Sequence, residues 1–138
     1  MKNLAFAVLF FSVQNVFAQK SIAPENVKAA FSKAYPGIKE VKWEKEDGNY
    51  EASFKNEGND VSVIYSPKAV LLESEIEMSP ASLVPAIQSY MALHYKLMPI
   101  KGAAKITRSN GKIEYEAAIK GKDILFDSNG KFLKEDKD

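Results

Sequence analysis

Two stretches of the chain follow one pattern: "DGNYEASFK" begins at Asp47 and "GKIEYEAAIK" begins at Gly111. Each places Tyr-Glu-Ala shortly after a glycine, and in each the apolar residues alternate with polar ones. Alternation with a period of two is typical of a β-strand that has one face on a core, so Tyr and Ala should point inward and Glu outward. The repetition indicates that one supersecondary unit occurs twice.

The first unit opens with a helical pattern. Pro24 suits the first helical position, and Tyr35-Pro36-Gly37 ends the pattern. Between them, apolar residues recur at spacings of three and four, which predicts about three helical turns: Val27, Ala30, Phe31 and Ala34.

Four strands should follow the first helix, because turn residues interrupt the alternation at Asp47-Gly48, Gly58-Asn59 and Ser66-Pro67. The inward positions of the first three strands are Val41, Trp43, Tyr50, Ala52, Phe54, Val61, Val63 and Tyr65. In the fourth strand, Leu72, Ile76 and Met78 share one face, and Glu73, Glu75 and Glu77 share the other.

The second unit repeats this order. A turn at Ser79-Pro80 and a helix opened by Pro85 precede strands that are separated by Asn110-Gly111, Gly121 and Asp127-Ser128-Asn129-Gly130. The apolar stripe of this helix comprises Ile87, Tyr90, Met91, His94, Tyr95 and Met98. The expected fold is therefore α+β: a tandem repeat of a helix plus a four-stranded antiparallel sheet, with the helices on one sheet face and repeats at about 23–78 and 79–135.

Residues 1–18 have the pattern of an export signal. Lys2 precedes a short apolar run, and Val16-Phe17-Ala18 ends on small residues, so cleavage is expected between Ala18 and Gln19. The apolar run is shorter than the roughly 20 residues that a membrane-spanning helix needs. A single domain at 19–138 should then be periplasmic or extracellular, with no membrane span.

Charge and cysteine content exclude several classes of function. Without Lys2, the 19 Lys and Arg of the chain become 18, which balance the 18 Asp and Glu. A nucleic-acid partner is not expected, because phosphate binding requires a concentrated basic surface. The chain has no cysteine, which excludes disulfides, thiol chemistry and thiolate metal sites.

The order of these motifs resembles the PepSY-like, beta-lactamase-inhibitor-like family of exported bacterial proteins. The resemblance is carried by "AYPGIKEVKWEKEDGNYEASF", "NGKIEYEAAI" and "ILFDSNGKFL", and it extends from about Val27 to Leu133. It implies an architecture similar to that of the beta-lactamase inhibitor protein, and it suggests enzyme inhibition by analogy. Ser66-Pro67-Lys68-Ala69 lacks the glycine that Asp127-Ser128-Asn129-Gly130 has at the corresponding turn.

No candidate for catalysis, a cofactor or a metal is strong. His94 is the single histidine, and a packed or half-exposed helix position is favoured over a general base or a metal ligand. Asp127-Ser128-Asn129-Gly130 is better explained as a hairpin turn than as a calcium loop, since its glycine comes too early. Trp43, Tyr50 and Tyr115 are expected in the core. The chain is thus predicted not to be an enzyme, and to bind no cofactor or metal.

The leading hypothesis is an exported protein-binding or inhibitor-like domain that contacts another exported or envelope protein through the open sheet face or the hairpin loops. The polar alternate positions would form that surface: Lys42, Glu44, Glu51, Ser53, Lys55, Glu73, Glu75, Glu77, Lys105, Thr107, Glu114 and Glu116. For the three glutamates of the fourth strand, charges that blunt an edge strand are favoured over a binding role.

Two alternatives stay open. One is a small-ligand carrier with an apolar cleft between helices and sheet, whose mouth would lie near Tyr90, His94 and Met98. The other is a hydrolase built on His94 and a carboxylate. The sequence does not decide the partner or the oligomeric state.

Overall fold

The structure, a computed structural model, describes residues 22–137, so the predicted signal and its cleavage point at Ala18 and Gln19 lie outside the described residues. It confirms an α+β fold with two helices and an antiparallel sheet, in which hydrogen-bonded neighbours follow the chain order β1 to β8. The elements are α1 Glu25–Ala34, β1 Lys42–Glu46, β2 Asn49–Asn56, β3 Asn59–Tyr65, β4 Leu71–Met78, a 3-10 helix Pro80–Ser82, α2 Pro85–His94, β5 Gly102–Arg108, β6 Ile113–Ile119, β7 Lys122–Asp127 and β8 Phe132–Lys137.

The described chain divides into two compact units, residues 22–74 and residues 75–137. We call them the first and the second unit. The division falls inside β4, between Ser74 and Glu75, whereas the sequence pattern places the end of the first repeat at about residue 78.

The core of the first unit lies between α1 and one face of its strands. Val27 and Phe31 of α1 are buried against Ala52 and Val63, which are directly paired in the register of β2 and β3. The ring of Phe31 lies 5.4 Å from that of Trp43 in an edge-on arrangement, which is favourable for aromatic pairs. Trp43 therefore packs in the core, as its alternation with Lys42 and Glu44 predicts.

The core of the second unit has the same construction. Ile87 and Met91 of α2 are buried against Ala117 and Ile124, which face each other across β6 and β7. Phe126 is fully buried beside them. Each unit thus covers one face of its own strands with its own helix.

The turn at Asp127 is a hairpin turn, as predicted. The Asp127 Oδ1 atom accepts hydrogen bonds from the backbone N–H of Asn129 at 2.9 Å and of Lys131 at 3.0 Å. Gly130 has a φ of 82°, a conformation that favours glycine. A Cβ atom at Gly130 would lie 2.8 Å from the Ala86 Cβ atom and 3.0 Å from Val84 Cγ2, so the turn packs tightly on the start of α2.

The first unit forms the equivalent turn without a glycine. The Ser66 N–H donates to the Val70 carbonyl at 2.9 Å, and the Asp127 N–H donates to the Lys131 carbonyl at the same distance. Ala69 takes the place of Gly130 and has a φ of 61°, a region that costs a residue with a Cβ atom about 1 kcal/mol or more.

The predicted orientation of β5 is wrong by one residue. Ala103 packs in the α2 core, and Lys105 lies opposite Tyr115, which contacts the same core. Because residues directly opposite in a sheet share a face, Lys105 and Thr107 lie on the helix-covered side rather than on the open surface. Ala103 and Ala104 are both small and buried, so the sequence alternation did not distinguish their faces.

The edge-strand explanation for the β4 glutamates is also wrong. In the strand order, β4 lies between β3 and β5, and the two edges are β1 and β8. Glu73 and Glu75 are each only 6% exposed. Neither residue is a solvated charge that protects an edge.

Candidate functional site

The strands of each unit have a second face, which points away from the helix. We call it the far face. In the second unit, Ala117 and Ile119 point toward α2, so strand alternation puts Glu114, Glu116 and Ala118 of β6 on the far face. The paired strands add the rest of this surface: Ala104, Ile106 and Arg108 of β5, Asp123, Leu125 and Asp127 of β7, and Lys134 and Asp136 of β8.

The centre of this far face is apolar. Ile106 is 1% exposed and Leu125 is 4% exposed, and Ala104 and Ala118 are buried with them. None of these four residues belongs to the core that packs under α2. The far face is therefore not the uniformly polar surface that alternation predicts, and its apolar residues are not explained by packing on the helix of the unit.

Buried carboxylates accompany the apolar centre. Glu116 is fully buried, and its direct neighbours on β5 and β7 are Ala104 and Leu125. Asp123, opposite Ala118, is 2% exposed. Glu116 was expected on a face open to water, and in the structure it is buried on the face opposite the helix core. Charges in such a position interact strongly because little water screens them.

An ion-pair cluster lies at one end of the same face. Arg108 donates from Nε at 3.0 Å and from Nη2 at 2.7 Å to Glu114 Oε2, and Lys112 Nζ lies 3.0 Å from Glu114 Oε1. Burial opposes ionisation of Glu114, but the hydrogen bonds from Arg108 and Lys112 outweigh it and lower the pKa of the carboxyl. Arg108 was not among the predicted site residues. With the correct orientation of β5, the alternation that selects Glu114 would also have selected Arg108.

The far face of the first unit has a related arrangement around Glu51, which is 8% exposed. Glu51 lies opposite Glu44 on β1 and opposite Ile64 on β3. Burial, together with the negative charges of Glu46 and Glu44, raises the pKa of Glu51 to about 7, and hydrogen bonds from Ser62 and Ser53 offset only part of this effect.

Other predicted residues of this first-unit surface are more exposed and form local ion pairs. Lys42 Nζ lies 3.0 Å from Glu44 Oε1, and Lys55 Nζ lies 2.7 Å from Asp60 Oδ1. Exposed pairs of this kind contribute at most about 1 kcal/mol each. Ser53 is half-buried next to Glu51, and Glu77 of β4 is half-buried in the second unit.

The repeated Tyr-Glu-Ala occupies equivalent positions in the two units. Tyr50 and Tyr115 both lie on the second strand of a first hairpin and contact the core under their own helix. The following glutamates, Glu51 and Glu116, each lie opposite an apolar residue of the next strand, Ile64 and Leu125 respectively. The sequence echo thus corresponds to a structural one.

The region expected to form the mouth of a ligand cleft is filled by aromatic rings. Tyr90 stacks on His94 with 4.1 Å between ring centroids and on Phe132 with 5.3 Å, and it meets Phe126 edge-on at 5.3 Å. His94 is exposed on α2, where a packed or half-exposed position was expected, and it contacts the ring of Tyr90. Met98 lies beyond the end of α2 and is 38% exposed.

Two further properties concern only residues 22–137. No group of three or more His, Asp or Glu side chains in this part of the chain could hold a metal ion. No helix there is both long enough and apolar enough to cross a membrane.

The two units share one construction, a helix packed on antiparallel strands, which defines a tandem α+β protein. The chain belongs to the family described as "putative beta-lactamase-inhibitor-like, PepSY-like", whose model matches residues 13–73 and again 72–134. This confirms the resemblance seen in the sequence, and the two matches agree with a tandem repeat. Comparison with curated proteins gives no match.

Solved structures from Bacteroides share the fold. A BLIP-like protein from Bacteroides fragilis has 23% identity and a TM-score of 0.67, with 83% of this chain and 85% of that chain covered. A "putative periplasmic" protein from Bacteroides eggerthii has 18% identity and a TM-score of 0.73, with 85% and 90% covered. A protein from Bacteroides ovatus, of a family of unknown function, has 19% identity and a TM-score of 0.74, with 86% and 89% covered.

Proposed function

We propose that this chain is an exported, non-enzymatic protein that binds another exported or envelope protein through the far face of its strands, in the manner of an inhibitor-like domain. The observation that carries the proposal is the apolar centre at Ile106 and Leu125, which the α2 core does not use. Apolar residues rimmed by charged ones, on a sheet face that the helix of the unit does not cover, are typical of a surface that another element or a partner covers.

The family and the fold support this proposal. The inhibitor-like description of the family suggests a protein partner, and the BLIP-like neighbour from Bacteroides fragilis shares the fold. Export is supported by the sequence pattern of residues 1–18 and by the periplasmic description of the neighbour from Bacteroides eggerthii. Fold alone does not carry an activity from one protein to another, so the partner has to be found experimentally.

The proposed surface differs from the one expected from sequence. Lys105 and Thr107 are left out because they lie on the helix side. Apolar residues and Arg108 are added to it, and the predicted residues that stay in the proposal are Lys42, Glu44, Glu51, Ser53, Lys55, Glu73, Glu75, Glu77, Glu114 and Glu116. In our proposal the functional form begins at Gln19, so binding is to be measured on that form.

The test is chemical crosslinking of the processed protein in the envelope of its native host. Glu116→Lys reverses a charge on the far face, and Glu135→Lys makes the same change on β8 opposite Ile124, which is on the helix side. We expect a crosslinked partner with the wild type and with Glu135→Lys, but not with Glu116→Lys. Thermal unfolding of each variant shows that it is folded. A partner retained equally by both variants, or no partner for the wild type, would overturn the proposal.

A further inference from the structure

We propose that one end of the second unit binds the surface of an anionic lipid bilayer, with Leu97 as the apolar anchor and lysines around it. This end consists of the loop 95–101 between α2 and β5, the β6–β7 turn at 119–122 and the end of β8 at Lys137. We call it the basic end. The inference uses residues other than the far face and does not depend on a protein partner.

Leu97 projects from a closed turn at the end of α2. The Met98 N–H donates to the Tyr95 carbonyl at 3.1 Å, and Leu97 lies inside this turn with a φ of 63°. That backbone conformation is unfavourable for a residue with a Cβ atom. The Leu97 side chain is fully exposed, so the core under α2 gains nothing from it.

The first unit forms the same turn with a glycine. The Ile38 N–H donates to the Tyr35 carbonyl at 3.4 Å, and Gly37, with a φ of 93°, takes the place of Leu97. Glycine adopts this conformation readily. The second unit therefore has a large apolar residue where the fold requires none. A residue held in such a conformation without a packing role points to a function outside folding.

Leu97 is the centre of an exposed apolar patch. Leu93, on the last turn of α2, is exposed, and so are Met98 and Pro99, which follow Leu97 in the loop. Apolar side chains flanked by lysines bind at the boundary between the headgroups and the acyl chains of a bilayer. The patch therefore matches a lipid surface if lysines lie beside it.

Lysines do lie beside it. The sequence has no Asp or Glu from residue 78 to residue 113. The Lys101 N–H donates to the Ala118 carbonyl at 2.8 Å, which brings the loop next to the end of β6. Lys137 lies directly opposite Lys122, which begins β7 at the same end. The exposed lysines of the basic end are Lys96, Lys101, Lys120 and Lys137.

The nearby carboxylates do not neutralise these lysines. Glu135 accepts hydrogen bonds at 2.6 Å from the Tyr95 hydroxyl and from Lys122 Nζ. Asp136 forms an ion pair with Lys134, and Asp123 is buried. Within residues 22–137, no acidic side chain forms a salt bridge with Lys96, Lys101 or Lys120. The exposed charge of the basic end is thus positive, which is complementary to anionic headgroups.

The same charge disfavours a second copy of this chain as the occupant. Two basic ends brought together would place lysines against lysines, and like charges across an interface oppose association. An anionic bilayer accepts both the lysines and the apolar patch.

Cosedimentation with vesicles measures the binding. The chain is used from Gln19, because the apolar run of residues 1–18 would itself bind lipid. One set of vesicles contains phosphatidylglycerol and phosphatidylethanolamine, and the other contains phosphatidylcholine alone, which has no net charge. We expect binding at least about tenfold tighter to the anionic vesicles, and weaker binding to them at high salt.

Matched variants locate the surface. Leu97→Gly installs the residue that the first unit has in this turn, and it should weaken binding to the anionic vesicles at least about tenfold. Lys101→Gln should weaken it about fivefold. Val70→Ser and Lys68→Gln make comparable changes in an exposed turn of the first unit and should alter it by less than about twofold. Circular dichroism shows that each variant is folded.

A fluorescent label tests whether Leu97 enters the bilayer. The chain has no cysteine, so Leu97→Cys carries one environment-sensitive dye, and Val70→Cys carries it at the control position. With anionic vesicles, emission from the dye at position 97 should shift to the blue, and emission from position 70 should not. No shift at position 97, equal shifts at both positions, or equal binding of Leu97→Gly and wild type would overturn the inference.

The other occupants give distinct results. Dimerisation that Leu97→Gly abolishes, without vesicle binding, would assign the patch to a second copy. A crosslinked envelope protein that depends on Leu97, without vesicle binding, would assign it to a protein pocket. Either result overturns the inference. Neither touches the proposed function, which is tested separately with Glu116→Lys.

Discussion

Replacing Gly130 by alanine tests how the last hairpin of the second unit packs on α2. A Cβ atom at this position would meet Ala86 Cβ at 2.8 Å, Val84 Cγ2 at 3.0 Å and Ile87 Cγ1 at 3.3 Å. The Ala86 Cβ atom is attached directly to the helix backbone and cannot rotate away. We therefore expect the turn or the helix to shift, with a loss of packing.

A control variant separates the packing cost of Gly130→Ala from its backbone cost. Gly121→Ala places alanine at a φ of 74° with no atom within 4 Å of the new Cβ, so it measures the backbone cost alone. That cost is about 1 kcal/mol after the gain from a less flexible unfolded chain is subtracted. Overpacking adds about 1–3 kcal/mol, so Gly130→Ala should destabilise the protein by about that much more than Gly121→Ala.

Urea unfolding followed by circular dichroism measures the free energy of unfolding of Gly130→Ala and of Gly121→Ala. Each kcal/mol of difference between the two variants corresponds to a shift in Tm of about 3–5 °C for a domain of this size. The matching change in the first unit, Ala69→Gly, removes a positive φ of 61° from an alanine and should change the free energy of unfolding by less than about 1 kcal/mol. If Gly130→Ala costs no more than Gly121→Ala, the tight contact between turn and helix is refuted.

Three further substitutions have defined outcomes. Burial raises the pKa of Glu51 from an ordinary 4.5 to about 7 in the folded chain, so the folded state binds this proton more tightly than the unfolded state. The free energy of unfolding of the wild type should therefore fall as the pH rises from about 4.5 to 7. Glu51→Gln should remove this fall and increase the free energy of unfolding by about 1–3 kcal/mol at pH 8. Leu97 is fully exposed at a φ of 63°, so Leu97→Gly should stabilise the protein by about 0.5 kcal/mol. Arg108→Gln removes two hydrogen bonds to Glu114, whose pKa is lowered in the folded state. It should cost about 1–2 kcal/mol at pH 7 and less at pH 3, because a fall in pH favours protonation of Glu114. Urea titrations across pH measure all three. If the difference in stability between Glu51→Gln and wild type does not change with pH, the argument for Glu51 is wrong. A loss above about 1 kcal/mol for Leu97→Gly would contradict the argument from its backbone conformation. An equal cost of Arg108→Gln at pH 7 and pH 3 would contradict the argument from its bonds to Glu114.

The sequence predicted the order of elements because the hydrophobic period changes clearly between helix and strand. Val27 and Phe31 at helical spacing, and Ala52 and Phe54 in alternation, all lie in the predicted core. The turn at Asp127 was also predictable, because an aspartate that accepts from its own backbone and a glycine three residues later suit few other structures.

The far face was less accessible to sequence reasoning. Alternation assigns Glu116 to a face, but it does not tell whether that face contacts water. The adjacent Ala103 and Ala104 gave no contrast in polarity, so β5 was assigned to the wrong face and Ile106 was not recognised as part of the surface. Both errors concern packing between distant residues, which a local pattern does not contain.

The strand order has a consequence for how the protein reaches its folded state. Within each hairpin, the two paired strands are joined by a short turn, so this β-pairing closes only short segments of chain. Such local topology lowers the entropic cost of the first contacts and favours rapid folding. With no cysteine to oxidise, a polypeptide released unfolded outside the cytoplasm could acquire this structure without waiting for an oxidase or a disulfide isomerase.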